Sequence, residues 1–323
     1  SFFLFLSFPF FPISSIHPSI RVIRFYWARN ATSRDVEAVF APQGSGQPGE
    51  YYWVDHGLHA PAGAPPSMFL VAQRTIKTSA GFNTLGTAAI ALDNPDAWPG
   101  DWRYRTANLP HSTSDIWWQA ALQWAGDGDM VYLLGNMHNK ADAILARAPY
   151  SALIAFNWTA LEYWVRPGVW APNPLLLKPL GPPGTPQTSL HFLPRLGLWV
   201  MPYLAFLDTT VQLYYAPSVT GGWQRTELYR IPAPFNNGSR FFNYAPRMHP
   251  GLTAAGTNGT ELALSFVTNA HNFGDLFAPG MIDIYVPRLL RLQLGQLAAT
   301  ELSLADCGGV PGGTISNTAA FRQ

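Results

Sequence analysis

Short strand-like runs separated by turn residues recur in four groups of about four, beginning near residues 51, 116, 189 and 242. The first group reads Tyr51–Val54, Met68–Arg74, Gly86–Leu92 and Trp102–Arg105. The second reads Ile116–Leu122, Met130–Leu134, Ala143–Arg147 and Leu161–Trp164. Leu190–Leu193, Leu198–Met201, Val211–Tyr215 and Trp223–Tyr229 form the third. Phe242–Ala245, Leu262–Val267, Ile282–Tyr285 and Leu289–Leu294 form the fourth. A repeat of four-stranded sheets is the sequence pattern of a β-propeller, because one blade cannot bury both of its faces and must stack on its neighbours. A β-sandwich of this size leaves the fourfold restart without a reason. The expected fold class is therefore all-β, a single β-propeller domain over residues 21–323. Tight turns are expected at Asp127-Gly-Asp129 and Gly221-Gly222, an irregular crossing over Pro172–Pro186, and one short helix near Tyr150–Phe156.

Composition supports this and excludes other classes. Charged residues are 12% of the chain, about half the ~25% of an ordinary soluble domain. With 12 Trp, 13 Tyr and 20 Phe, aromatic residues reach 14%, which suits blade-to-blade packing. There are 28 Gly and 29 Pro, too many turn formers for a helical bundle. The large apolar content argues against disorder. A net charge of +1 supplies no basic field, so no nucleic-acid partner is expected.

The single cysteine, Cys307, excludes an internal disulfide and a cysteine-built metal site. Four N-glycosylation sequons, at Asn30, Asn157, Asn237 and Asn258, point toward the secretory route and a secreted, extracellular glycoprotein. Residues 1–20 open with SFFLFLSFPFFP, an apolar leader too short to span a bilayer. It reads either as a signal peptide remnant or as sequence foreign to the fold, since it has neither an initiator Met nor a basic flank. No later segment offers a membrane span.

Several phrases carry a further resemblance. They are Tyr51-Tyr-Trp53 with Asp55, Asp115-Ile-x-Trp118, Leu145-Ala-Arg-Ala-Pro149 with Leu161-Glu-Tyr-Trp164, and Ala216 through Trp223. Tyr244-x-x-Arg247-x-His249-Pro250 and Tyr285-x-Pro-Arg288 follow. In this order, across residues 50 to 293, the set resembles a secreted family of five-bladed β-propellers, long of unknown function, related to endo-D-arabinanases. The resemblance implies a five-bladed wheel and a glycoside hydrolase-like activity on arabinans or fructans. It also implies an N-terminal blade with a Gly-Asp-Thr phrase, which this chain lacks. A wheel truncated to about four blades is then expected.

Glycoside cleavage needs one carboxylic acid to protonate the leaving oxygen and one carboxylate as nucleophile or base. Asp55 follows the first strand of the first group and Asp115 opens the second, so they are the candidate catalytic pair. The same positions also suit carboxylates that close turns. Arg247, His249 and Arg288 are candidate partners for sugar hydroxyls, and Trp53, Trp118 and Tyr244 for sugar ring faces. Glu162 reads as structural. Neither a cofactor nor a metal is expected. The expected function is hydrolysis of an arabinose- or fructose-type polysaccharide by a monomer. The alternative is a non-catalytic propeller that binds extracellular carbohydrate or serves as a matrix scaffold.

Overall fold

The computed structural model describes residues 28–293, apart from short internal stretches of which 250–260 is the longest. The apolar leader lies outside the described residues. A two-stranded ribbon comes first, β1 (Ala28–Arg29) with β2 (Val36–Glu37). Four larger sheets follow. Each is an antiparallel meander in which strands adjacent in sequence are adjacent in space. The fold is all-β and of the β-propeller class, with four blades where a five-bladed wheel was one expectation.

The first blade orders β3 (Glu50–His59), β4 (Met68–Thr78), β5 (Gly81–Leu92) and β6 (Tyr104–Asn108). Its second strand begins with six buried residues in succession, Met68 to Gln73. A strand covered on both faces has no reason to alternate, so it reads as a continuous apolar run. Tyr52, Leu70, Ala88, Ile90 and Leu92 build the core on one face, each large side chain contributing about 1.5–3 kcal/mol. Gly57 fits where a Cβ would collide with the Leu70 side chain.

The second blade has five strands where four were expected: β7 (Ile116–Trp124), β8 (Met130–Met137), β9 (Asp142–Pro149), β10 (Glu162–Arg166) and β11 (Val169–Ala171). A short helix α1 (Tyr150–Ile154) follows β9, close to the expected place. Its first turn is satisfied from the β7–β8 turn. The Asp129 carbonyl accepts from Tyr150 N–H, and its carboxylate from the backbone N–H and hydroxyl of Ser151. The crossing segment has no regular strand, yet Pro183 bridges to Asp142, and Ala143 bonds Pro182 and Leu180.

The third blade, β12 (His191–Leu193), β13 (Leu198–Tyr203), β14 (Thr210–Ala216) and β15 (Gln224–Arg230), matches the expectation strand for strand. Among the described residues the fourth has three strands: β16 (Phe241–Met248), β17 (Glu261–Ala270) and β18 (Arg288–Gln293). Of the strand expected over Ile282–Tyr285, Ile282 and Asp283 lie outside the described residues, and Ile284 and Tyr285 form a turn where a strand was expected. The third and fourth blades share a core in which Val200, Leu213 and Tyr215 meet Leu264 and Phe266. Neither sheet could bury that face alone.

The chain divides into two compact units. One comprises residues 1–140, 145–165 and 170–177, and the other 141–144, 166–169 and 178–323. No helix among the described residues is long and apolar enough to cross a membrane.

Candidate active site

In the first unit two of the candidate residues, Trp53 and Asp55, lie on β3. Val54 pairs with Ala72 and His56 with Val71, so Asp55 is the extra residue of a β-bulge. A bulge bends its strand and re-aims the side chain it carries. Here it turns an acidic residue into a site only 2% exposed. Two residues earlier, Trp53 is half-buried and meets Tyr51 and Phe82 edge-on, with ring centroids 5.8 Å and 5.1 Å away. Phe82 is 41% exposed.

The start of β3 is held by an ion pair that the sequence did not signal. Arg74 Nε and Nη2 donate to the two oxygens of Glu50 at 2.7 Å and 3.1 Å, with the Glu50 side chain 1% exposed. Burial by itself would raise the Glu50 pKa. The Arg74 fork, with the Gln47 backbone N–H, outweighs it and keeps the carboxyl below its ordinary value. The buried acid therefore stays charged.

The first strand of the second blade also bulges, between Trp117 and Ala121. Asp115 lies outside the described residues. The approach to β7 is anchored through Ser112, whose Oγ accepts from Thr87 N–H at 2.6 Å and donates to the Ile116 carbonyl at 3.2 Å. The backbone N–H of Trp118 donates to Thr87 Oγ1 at 3.1 Å. The Trp118 side chain is 1% exposed and packs beside Tyr163, so it presents no open ring face. Glu162 pairs with Arg147 at 2.7 Å, as a structural residue would.

In the second unit a third bulge falls between Tyr244 and Arg247 on β16. Its backbone is strained, because Ala245 has φ 55°, a region costly for a residue with a Cβ. Tyr244 and Tyr285 bring their hydroxyls to 3.3 Å. Burial first, then Tyr285, pushes the Tyr244 phenol well above its ordinary pKa, so it remains a neutral donor. Arg247 Nε donates to the Gln187 carbonyl at 3.0 Å, and Gln187 also has positive φ, at 60°.

One residue past β16, His249 Nε2 lies 2.7 Å from Ser265 Oγ. Burial, then the neighbouring Arg247 charge, lowers the His249 pKa to about 4. His191 is lowered to about 4 as well, by burial and then by His249. Both imidazoles are neutral at ordinary pH. The Arg288 guanidinium sits 3.4 Å over the Phe235 ring, a cation–π contact.

Against known proteins, the family described as a domain of unknown function (DUF5005) matches residues 19–294, most of the chain. The chain belongs to the DUF5005 family. No curated protein matches the sequence of this DUF5005 domain. Among solved structures it is similar to a crystal structure named "a putative hydrolase" from Bacteroides ovatus ATCC 8483, with 16% identity and a TM-score of 0.56. The match covers 79% of this chain and 64% of that one, so the DUF5005 domain spans under two thirds of its length. At that identity the likeness shows the fold.

The structure places Trp53 and Asp55 on one strand, and Tyr244 and Arg247 on another with His249 one residue past its end. Reasoning from sequence missed Glu50, Ser265, His191 and Gln187. Gln187 and Arg247 are 60 positions apart, so no local pattern could have joined them. The other contacts are likewise settled by strand pairing.

Proposed function

We propose that this DUF5005 domain is a secreted, hydrolase-like protein acting on an arabinose- or fructose-type polysaccharide. The observation that carries the reading is the bulge at Asp55, which makes an acidic residue the irregular point of β3, two residues after the partly exposed Trp53. Bulges concentrate next to active sites because they re-aim side chains. In this reading Asp55 and Asp115 are the carboxylates. One protonates the departing glycosidic oxygen; the other attacks the anomeric carbon or deprotonates a water. Trp53 offers a ring face to sugar C–H groups. In the second unit, taken by itself, the neutral His249 and Tyr244, with Arg247 and Arg288, are groups suited to hydrogen-bonding carbohydrate hydroxyls.

A second reading, carbohydrate binding without catalysis, is favoured by the 2% exposure of Asp55. A carboxylate so enclosed serves a bulge as readily as a reaction. Reducing-sugar release from a panel of arabinans and fructans separates the two. Hydrolysis predicts release by the wild type and a drop of about 10²–10⁴-fold in both Asp55→Asn and Asp115→Asn, the usual contribution of a general acid or base. Polysaccharide retention with no release by the wild type supports the binding reading. Release unchanged in both variants removes both aspartates from the mechanism.

A further inference from the structure

Of the four sequon asparagines, Asn157 is the one among the described residues, and the turn around it has the build of a modification site. It lies between α1 and β10 and is exposed. The Thr159 hydroxyl donates to Asn157 Oδ1 at 2.7 Å. This bond engages the carbonyl oxygen and leaves unused the amide nitrogen Nδ2, the atom that takes a sugar. The turn itself is firmly held. Asn157 N–H donates to the Ala152 carbonyl at 2.8 Å, and Ala160 N–H to the Asn157 carbonyl at 3.3 Å.

The flanking residues supply a surface for that sugar. Phe156 and Trp158 stack at 5.5 Å with 28° between their planes. Phe156 is held at φ 54°, a conformation costly for an aromatic residue. Arg105 lies 5.4 Å over the Phe156 ring and also donates to the Ile154 carbonyl at 3.1 Å. A strained, half-buried aromatic pair at an exposed turn gains from an apolar cover, and the C–H face of a pyranose provides one.

We infer that Asn157 carries an N-linked glycan whose proximal sugar lies over Phe156 and Trp158. The donor class is an oligosaccharide on a polyprenyl diphosphate. A bond forms between Asn157 Nδ2 and the anomeric carbon, and the bond from that carbon to the phosphate oxygen breaks. The polyprenyl diphosphate departs with the electron pair, and one amide proton passes to the transferase. The assignment rests on the secretory route in the proposed function, so the experiment imposes that route with a heterologous leader. Native export is then a separate question.

The full chain is expressed in a eukaryotic secretory host and purified from medium and membranes together. Peptides are mapped with and without an N-glycan-releasing amidase. Wild type and Thr159→Ser are expected to carry a sugar on most copies of the Asn157 peptide, and Thr159→Ala and Asn157→Gln on none. With Asn30, Asn237 and Asn258 changed to Gln, protein trimmed to its first sugar is expected to melt roughly 2 °C above the stripped form. That stripped form is made with glycosylation blocked, because amidase release would convert Asn157 to an aspartate. A mostly unmodified Asn157 peptide in the wild type, or full occupancy in Thr159→Ala, overturns the site. Equal melting of the trimmed and stripped forms overturns the placement of the sugar on the aromatic pair.

Discussion

The bulge on β3 and the bulge on β16 are the same backbone device serving opposite chemistry. On β3 the extra residue is Asp55, and the neighbouring buried charge, Glu50, is answered by Arg74 across the strand pair. On β16 the irregular residues are Ala245 and Pro246. The cation beside them, Arg247, donates to a backbone carbonyl, and the nearby imidazoles are neutral. The first region thus holds its charge by pairing. The second holds its imidazoles and the Tyr244 phenol neutral by burial and stores strain in Ala245 and Gln187. A bulge decides where a side chain goes; the partners across the sheet decide what charge it can keep.

The largest expected effect breaks the charge pairing. Arg74→Ala leaves the Glu50 carboxylate buried without its cation, and is expected to cost about 3–5 kcal/mol in chemical denaturation. Arg247→Ala removes a hydrogen bond to a carbonyl and is expected to cost about 1–3 kcal/mol. Replacing both members of the first pair, Glu50→Gln with Arg74→Met, should recover much of the loss. Equal costs for the two arginine variants would erase the distinction between the regions.

A pH titration sharpens the comparison at intermediate size. His249 and His191 have folded pKa values near 4, below the unfolded 6.5. The unfolded chain therefore binds their protons first, and the stability present above pH 6.5 is lost as pH falls toward 4. A fall on the order of 3 kcal/mol is expected across that window from the fully buried His191, with a smaller addition from the less buried His249. Glu50 is depressed below 4.5, so its contribution is present above pH 4.5 and disappears only as pH drops through its lower folded value. His249→Gln should reduce the fall in the upper window to the share carried by His191, and leave the lower window in place. Stability that stays level from pH 6.5 to 4 in the wild type would refute the burial of the imidazoles.

The smallest effect concerns strain. Ala245→Gly relaxes a positive φ and is expected to stabilise the protein by about 1 kcal/mol in thermal or chemical melting. Asp55→Gly has no such strain to release and should destabilise. Loss of stability in Ala245→Gly would show that the bulge on β16 is held without strain.

Much of the fold was legible because blade strands announce themselves locally. Met68 to Leu92 shows two apolar strands and a turn, and β4 and β5 pair there along their length with one irregularity at Leu85. Three-residue β11 was missed because so short a strand has no periodicity to read, and Ile284 and Tyr285 turn although their pattern suits a strand. The site was less legible. Asp55 and Arg247 stood out by residue type, but nothing in their neighbours showed that each adjoins a bulge. Ala245 stands before Pro246, a position biased toward extended backbone, so its φ of 55° ran against the local rule.

The sequence by itself determined an all-β chain of repeated meanders, since apolar runs and turn residues act over a few positions and need no distant partner. Tertiary structure alone decided the bulges, the Glu50–Arg74 pair and the neutral imidazoles. Register is a contest between whole strands, and burial depends on what packs from afar. The charge state of a side chain follows from those two, and is settled last.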